Sequence, residues 1–407
     1  MGENRKMNAG DRIKIGSCEL KNRITMAPTV KFDYTDDSGL ASEKHIAHYR
    51  ERAEGGFGLI CVEATAVVPE GRFCRTQMGL WNDAQAESHK PIAESCHRAG
   101  CVALIQLNHA GYQSGTEFGV PMGPSAMKTR GFAGENETRS MSLGEIAAVQ
   151  EAFVLAAVRA KKAGYDGVQL HGCHGYLINQ FVSPLTNHRT DAYGGPVENR
   201  VRFGREIIEG IRRECGPDFL ISVRTTGYEK GMETPLAAAR AYIAAGCNYL
   251  QVSSGWDFPL PAADETAAPV KISDILSLGV KLRAALRDGQ SASVCAEQGD
   301  GPDAASCSDT KAGERPTAPS CAEQNVTVPV SGVGGLFTPE DIRAVLEAGL
   351  LDTVDLGRAA LADPGIARAV LDGGDYVKCY QCAGGCHYGP FQKHICPAQV
   401  VWERKRG

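Results

Sequence analysis

Long hydrophobic runs are missing from this chain of 407 residues: no apolar stretch approaches the ~18 residues of a membrane-crossing helix. A strong excess of either charge is missing too. The formal net charge is -5 and the sequence pI is about 6.1, so there is no electrostatic reason to expect nucleic acid or an anionic membrane as partner. The opening residues, MGENRKMNAGDRIKIG, hold no apolar segment of the kind a secretory signal requires. Lys6 stands where myristoylation after Met-Gly wants Ser or Thr, which excludes that anchor. What remains is ordinary for a globular chain, 43% hydrophobic and 22% charged. Fifteen cysteines without an export signal point to reduced thiols rather than a disulfide framework, and so to a cytoplasmic location.

Short β-rich apolar runs alternate with helical patterns. The runs read as strands are 23–28, 58–65, 102–108, 166–172, 219–225, 249–255, 327–334 and 353–358. Helices are expected over 43–54, 143–163, 198–213, 234–245, 272–287 and 339–348. Several end at glycine (Gly55, Gly100, Gly164, Gly246, Gly349), as a left-handed C-cap prefers. Thr338-Pro339-Glu340-Asp341 opens another with a hydroxyl cap, proline at the first position and acids in the first turn. Eight such units specify an α/β fold of the (β/α)8 TIM-barrel type over 1–370. The stretch from about 288 to 325 breaks the rhythm: it is rich in Ser, Ala, Gly, Asp and Pro and repeats CAEQ. It is expected as a low-complexity loop on the face away from the catalytic loops, and its Cys295, Cys307 and Cys321 are too far apart for a convincing metal site.

A cysteine-rich tail over 371–407 follows, carrying Cys379, Cys382, Cys386 and Cys396 in C-Y-Q-C-A-G-G-C-H-Y-G-P-F-Q-K-H-I-C-P. Three thiols within a few residues can converge on one centre, and a fourth after a short loop can close it. Such a set takes an iron–sulfur cluster, which moves electrons, or a structural zinc, which only staples a loop. The x2, x3 spacing and the Cys396-Pro397 pair favour the cluster. Most other cysteines, such as Cys18, Cys61, Cys101, Cys215 and Cys247, read as small buried apolar residues.

In a barrel of this type the chemistry sits at the C-terminal ends of the strands. Those ends give Pro28-Thr29-Val30, Ala64-Thr65, Gln106 with Asn108-His109, His171 and His174, Arg224, Ser253-Ser254, Gly334-Gly335 and Gly357-Arg358. Glycines ending strands seven and eight, with Arg358 beside them, suit a phosphate. The pair His171 and His174 admits three readings: metal ligands with Cys173 as a third, a hydrogen-bonded loop histidine beside an exposed one, or two donors gripping a substrate oxygen with Tyr176 as proton source.

The string HGCHGYLINQFVSPLTNHRTDAYGGPVENRVRFGREII, from His171 to Ile208, closely resembles the old yellow enzyme family of FMN-dependent ene-reductases. So do RITMAP, EATAVVPEGR, QLNHAGY, GPSA and VDLGRAALADP. With the cysteine tail, the chain is most similar to the iron–sulfur branch containing 2,4-dienoyl-CoA reductase and trimethylamine dehydrogenase. The resemblance implies an FMN in the barrel mouth, with Pro28 and Ala64 at the ring edges and Gln106 on the pyrimidine. It implies Arg224 beside flavin N1 and O2, and Gly334, Gly335, Gly357 and Arg358 on the phosphate. It further implies that His171 and His174 bind the carbonyl oxygen of an unsaturated substrate. Tyr176 then gives a proton to the α-carbon as flavin N5 gives hydride to the β-carbon.

The departures from that pattern also carry expectations. Val30 stands where many relatives have a Thr or Cys contacting flavin O4, and it can neither donate there nor form a cysteinyl–flavin link. An amine dehydrogenase or N-demethylase is thus the weaker reading, and only Trp81 and Trp256 offer indoles for a cation cage at the mouth. The large relatives continue into a second module, whereas no G-x-G-x-x-G follows this tail. Electrons are therefore expected from NAD(P)H directly, or from a separate donor protein through the 4Fe-4S cluster. A non-catalytic FMN and iron–sulfur relay subunit would need none of His171, His174 and Tyr176. A homo-oligomer is a family-based expectation. Arg189 and Asp191 read as a loop clamp rather than a ligand site.

Overall fold

The computed structural model describes residues 6–131, 134–255, 270–294, 328–382, 386 and 396–406. Eight parallel strands close into a barrel: β1 Ile24–Met26, β2 Leu59–Ala66, β3 Val102–Asn108, β4 Gly167–Gly172, β5 Leu220–Thr226, β6 Tyr249–Ser253, β7 Val330–Val333 and β8 Thr353–Leu356. Each strand pairs with its neighbour in sequence, and β8 pairs with β1 at Leu356 and Met26 to complete the ring. The strands read as apolar runs because both their faces are covered, one by helices and one by the barrel interior.

Helices α1 Glu43–Glu54, α2 Asp83–Arg98, α3 Leu143–Lys162, α4 Arg202–Cys215, α5 Glu233–Ala244, α6 Asp274–Val294 and α7 Pro339–Glu347 lie between the strands. Their starts follow local chemistry. Ser142 caps α3 by accepting from Glu145 N, while the Glu145 carboxylate takes Ser142 N at 2.8 Å. Thr338 caps α7 through Asp341 N at 3.1 Å, with Pro339 at the first position. The expected helix 198–213 is divided at Val201 into Val197–Arg200 and α4. Helix α6 runs beyond Arg287 to Val294, into the start of the biased stretch; the rest of that stretch, with Cys295, Cys307 and Cys321, lies outside the described residues, and so does Trp256 in the earlier segment 256–269.

One expected cap is displaced by a residue. Gly55 has an ordinary right-handed φ of -71°, and the left-handed turn falls on Gly56 at +102°. Gly55 is needed for space instead, since a Cβ there would sit 1.9 Å from the Pro364 carbonyl oxygen. An antiparallel pair, Ile13–Ile15 with Cys18–Leu20, plugs the N-terminal mouth of the barrel. Its Ile15 and Leu20 pack on Leu59, Leu104, Leu220 and Tyr249. That closure leaves the C-terminal mouth as the open end. Among the described residues no helix is long and apolar enough to cross a membrane.

After β8 come the short helices α8 Arg358–Ala362 and α9 Ile366–Asp372, then α10 Pro397–Arg406 in the tail. Asp363 ties tail to barrel: its carboxylate takes Gly365 N and Val377 N, each at 2.7 Å. Ala362, Val377 and Ala398 form a small buried cluster with Cys379, Cys396 and Trp402 packed on it. Of the cysteines expected to be buried, Cys61, Cys101, Cys215 and Cys247 are, whereas Cys18 is half-buried because its strand lies on the exposed hairpin.

Candidate active site

The C-terminal ends of the strands enclose a cleft of about 270 Å³, lined by Thr29, His174, Arg224, Ser253, Gly334, Gly335, Asp355, Gly357 and Arg358 among others. At one end Gly334 and Gly335 have φ values of +124° and +74°, a backbone that side-chain-bearing residues rarely adopt. A Cβ on Gly335 would also meet Ser273 Cβ at 2.7 Å. Main chain bared in this way can approach an anion closely. The Arg358 guanidinium, over the Phe337 ring at 4.8 Å, adds a fixed positive charge there.

Arg224, buried at the end of β5, occupies the middle. Its Nη1 donates to the Pro28 carbonyl at 3.5 Å and its Nη2 to Ser253 Oγ at 3.4 Å, while its Nε is buried without a hydrogen-bond partner. Ser253 Oγ accepts from Arg224 and lies 2.9 Å from His174 Nε2, in a hydrogen bond whose direction follows the imidazole tautomer. With the Ser253 proton on Nε2, His174 carries its own on Nδ1, directed at His171 Nε2 at 3.2 Å. Burial and the nearby Arg224 charge hold the His174 pKa well below the usual imidazole range. Burial, then His174 and Arg224, do the same to His171. Both rings are therefore neutral at physiological pH. His174 sits at φ +59° and is held there by Gln113, whose amide donates to the carbonyls of His174 and Gly175, each at 2.8 Å.

Tyr176 lies with its ring centroid 4.4 Å from that of His171. Burial raises its pKa, assisted by Cys173 and Cys74, so the phenol stays protonated. It belongs to an apolar wall with Ala64, Phe73 and Ala110, against which Val30, Phe32 and Cys74 pack. Val30 thus faces that wall, while Thr29 lines the cleft. Gln106 donates its amide to Gln169 Oε1 at 2.8 Å, and Gln169 in turn donates to Ser222 Oγ at 3.2 Å.

The metal reading of the histidine loop is weak. The ligand atoms of His171, Cys173 and His174 lie within 4.8 Å of one another, but they are only three, and both ring nitrogens of His174 are already hydrogen-bonded, to His171 and to Ser253. Arg189 clamps the loop: it pairs with Asp191 at 2.5 Å and donates to the carbonyls of Pro124 and Met141 at 2.9 and 2.6 Å. Among the lining residues that were not expected as site residues, Ser253 and Asp355 bear most on the chemistry. Ser253 was visible as a strand end, but nothing local marked its hydroxyl as a link between Arg224 and His174. Asp355 could have been found as the lone acid in an otherwise uncharged barrel strand, T-V-D-L.

Cys379, Cys382, Cys386 and Cys396 line one small cavity, together with Arg358, Leu361, Tyr380 and Gln381. Burial raises the Cys396 thiol pKa, and Cys379 and Cys386 add to the rise as like charges. A bound cation removes that repulsion, and four sulfurs without competing carboxylates fit a metal or metal cluster. The main cleft likewise fits a phosphorylated planar cofactor, with an anion seat at one end and a buried cationic nitrogen without a hydrogen-bond partner at its centre.

Residues 11–245 match the model of the "NADH:flavin oxidoreductase / NADH oxidase family". The chain is similar to the NADPH dehydrogenase of Halalkalibacterium halodurans, 40% identical over 245 residues that cover 60% of this chain and 71% of the relative. Its fold is similar to that of an old yellow enzyme homologue from Zymomonas mobilis, with a TM-score of 0.70, 26% identity, and 91% and 94% of the two chains covered. It is also similar to a 2-naphthoyl-CoA reductase in complex with 2-naphthoyl-CoA, with a TM-score of 0.77 and 27% identity over 94% of this chain; the match spans 55% of that longer protein. An oxidoreductase family whose members close a parallel barrel over a flavin accounts for the barrel, the anion seat and Arg224 together: the chain belongs to the NADH:flavin oxidoreductase / NADH oxidase family.

Proposed function

We propose that this chain reduces a carbon–carbon double bond conjugated to a carbonyl group, with FMN held in the main cleft. The observation that carries the reading is the pair of neutral imidazoles, His171 Nε2 and His174 Nδ1, 3.2 Å apart beside the Tyr176 ring. Gly334, Gly335, Gly357 and Arg358 would hold the phosphate, Arg224 the pyrimidine edge with Gln106, and Pro28 and Ala64 would pack at the ring edges. Bound there, FMN supplies a hydride acceptor and donor for exchange with NAD(P)H and with the substrate.

The protein's own groups do the rest. With the Ser253 hydroxyl proton on its Nε2, His174 presents Nδ1–H. His171, whose Nε2 accepts from His174 in the free site, presents a second N–H to the same oxygen once its proton moves to Nε2, and its Nδ1 has no hydrogen-bond partner to oppose that change. Two donors aimed at one carbonyl oxygen stabilise the negative charge that collects there and make the β-carbon electrophilic. Tyr176, protonated and buried beside them, holds the proton for the α-carbon. The apolar wall of Phe73, Ala110 and Val30 excludes water and suits a flat unsaturated substrate. An acyl thioester is the first class to try, given the likeness to the naphthoyl-CoA reductase.

In the same proposal the four tail cysteines hold a 4Fe-4S cluster that passes single electrons from a separate donor protein; structural zinc is the alternative occupant, and NAD(P)H the alternative donor. A cationic amine substrate is disfavoured, because Arg72 lies over the Trp81 ring at 5.2 Å and would repel a cation there. The experiment is an anaerobic absorption spectrum with flavin, iron, sulfide and zinc quantified, followed by turnover on enones and enoyl thioesters with NADPH or NADH. FMN with C=C reduction supports the reading; no flavin after reconstitution sinks it. Iron with stoichiometric sulfide assigns the tail to a cluster, and zinc alone assigns it to a staple.

A further inference from the structure

The chemistry above makes no use of a carboxyl group buried beneath the cleft. Asp355 is 1% exposed and ends the inward row of β8, in register with Thr25 of β1 and Val333 of β7. Its Oδ1 accepts the Thr25 hydroxyl at 2.5 Å. Its Oδ2 is buried without a hydrogen-bond partner, and the residue lines the same cleft as Arg224, Gly334 and Gly357. The groups whose fields it feels come from around the barrel: Thr25 on β1, Cys61 on β2, Arg224 on β5, and Tyr249 and Gln251 on β6. Arg358 lines the cleft beyond the end of β8. Burial keeps Cys61 and Tyr249 protonated, so the guanidinium of Arg224 is the charge that answers the carboxylate. An asparagine would fill the same space and still accept from Thr25. A carboxyl there, left half-satisfied in the floor of a redox site, calls for an explanation based on charge.

We propose that Asp355 is a proton-holding residue linked to the redox state of the flavin, binding a proton when the flavin is reduced and releasing it on reoxidation. The inference rests on the FMN reading of the cleft. NAD(P)H delivers two electrons and one proton as hydride, leaving a reduced flavin with one added negative charge. That charge competes for Arg224, so the support Arg224 gave to the carboxylate weakens, and a proton from solvent binds at Oδ2. When the substrate takes the hydride, the charge leaves and the Asp355 proton returns to solvent, so electrons and protons balance. Burial already lifts the carboxyl to about 6, with Thr25, Gln251 and Arg224 pulling it back, which puts the exchange within reach of neutral pH. Asp355 acts through Arg224 and the local field, and is a positioning residue for charge.

The test is the reduction potential of the bound flavin in the holoenzyme, followed by its visible absorbance from pH 5 to 9, in the native protein and in Asp355→Asn. One proton per two electrons changes the equilibrium tenfold per pH unit, or about 30 mV. The native protein is expected to double that slope over a window above pH 6, and Asp355→Asn to keep the single slope throughout. Asp355→Ser, which removes the charge in a smaller side chain, is expected to behave like the asparagine variant and serves if that one does not fold. A native slope that never exceeds one proton, or a steeper window that survives in the variant, overturns the proposal. The spectrum taken before titration separates the two readings: a protein that binds no FMN loses both, whereas an FMN-loaded protein with a single slope loses this one alone.

Discussion

At the scale of single residues, the site depends on which nitrogen carries a proton. Ser253 is placed to decide this for His174, since its Oγ takes Arg224 Nη2 and lies 2.9 Å from Nε2, where a hydroxyl proton leaves the imidazole proton on Nδ1. Ser253→Ala removes the bond to His174, worth about 0.5–1.5 kcal/mol as a neutral pair, together with the long 3.4 Å contact to Arg224. The expected outcome is a fall in kcat/KM of roughly threefold to tenfold on a carbonyl-conjugated substrate, recovered by Ser253→Thr. A uniform loss in both variants would mean that the hydroxyl only fills space. Tyr176→Phe is expected to cost about 10²–10⁴-fold in the half-reaction that consumes substrate, the usual share of a general acid. Reduction of the flavin by NAD(P)H should be little changed, and stopped-flow separation of the two half-reactions checks it. His171, His174 and Tyr176 were legible because they fall in one short string after one strand. Ser253 and Asp355 were not, since their roles come from neighbours 79 and 330 residues away in the chain.

Elements were legible where the local signal and the tertiary contact agree. Strand β3 has the bounds its pattern gives, Val102–Asn108, and α7 begins at the proline that its cap signals. Gly55 shows where the two diverge: a glycine after a helix reads as a left-handed cap, but here the demand comes from Pro364, more than 300 residues on. Gly55→Ala leaves the backbone angle acceptable and forces a methyl onto the Pro364 carbonyl. The expected destabilisation is about 1–3 kcal/mol, the range for overpacked sites, read from the urea midpoint at constant slope. The loop after β3 makes a pH-dependent prediction. His109 is fully buried and accepts from Gly111 N at 3.0 Å, and burial lowers its pKa from 6.5 to about 4. A depressed imidazole stays neutral in the fold while the unfolded chain takes up a proton. Its contribution is therefore complete above pH 6.5 and is lost as the pH falls toward 4, at about 1.4 kcal/mol per pH unit. His109→Asn keeps an acceptor for Gly111 and cannot titrate, so unfolding midpoints measured from pH 4.5 to 7 should fall about one proton less steeply than those of the native protein.

For the whole molecule, the question is whether barrel and tail work as one unit. The sequence separates them cleanly, with strand–helix repeats ending and cysteine spacing beginning, and that contrast made the tail conspicuous. Spacing alone did not reveal that Arg358 borders both the cleft and the cysteine cavity. The short helix α8 that starts at Arg358 carries Leu361 to the cavity wall and Ala362 into the cluster with Val377 and Ala398. A metal centre that fixes the four thiols therefore also fixes one wall of the anion seat. If the thiols separate, α8 loses the packing that orients Arg358, and the seat loses its positive charge as well as its shape. Cys382→Ser, or chelation of a labile metal, is thus expected to weaken FMN binding about tenfold although no flavin contact is altered, a change of about 1.4 kcal/mol. Titration of the apo-flavin protein with FMN, with and without the metal, checks it. Equal affinities would make the tail an attachment that shares a boundary with the barrel and nothing more.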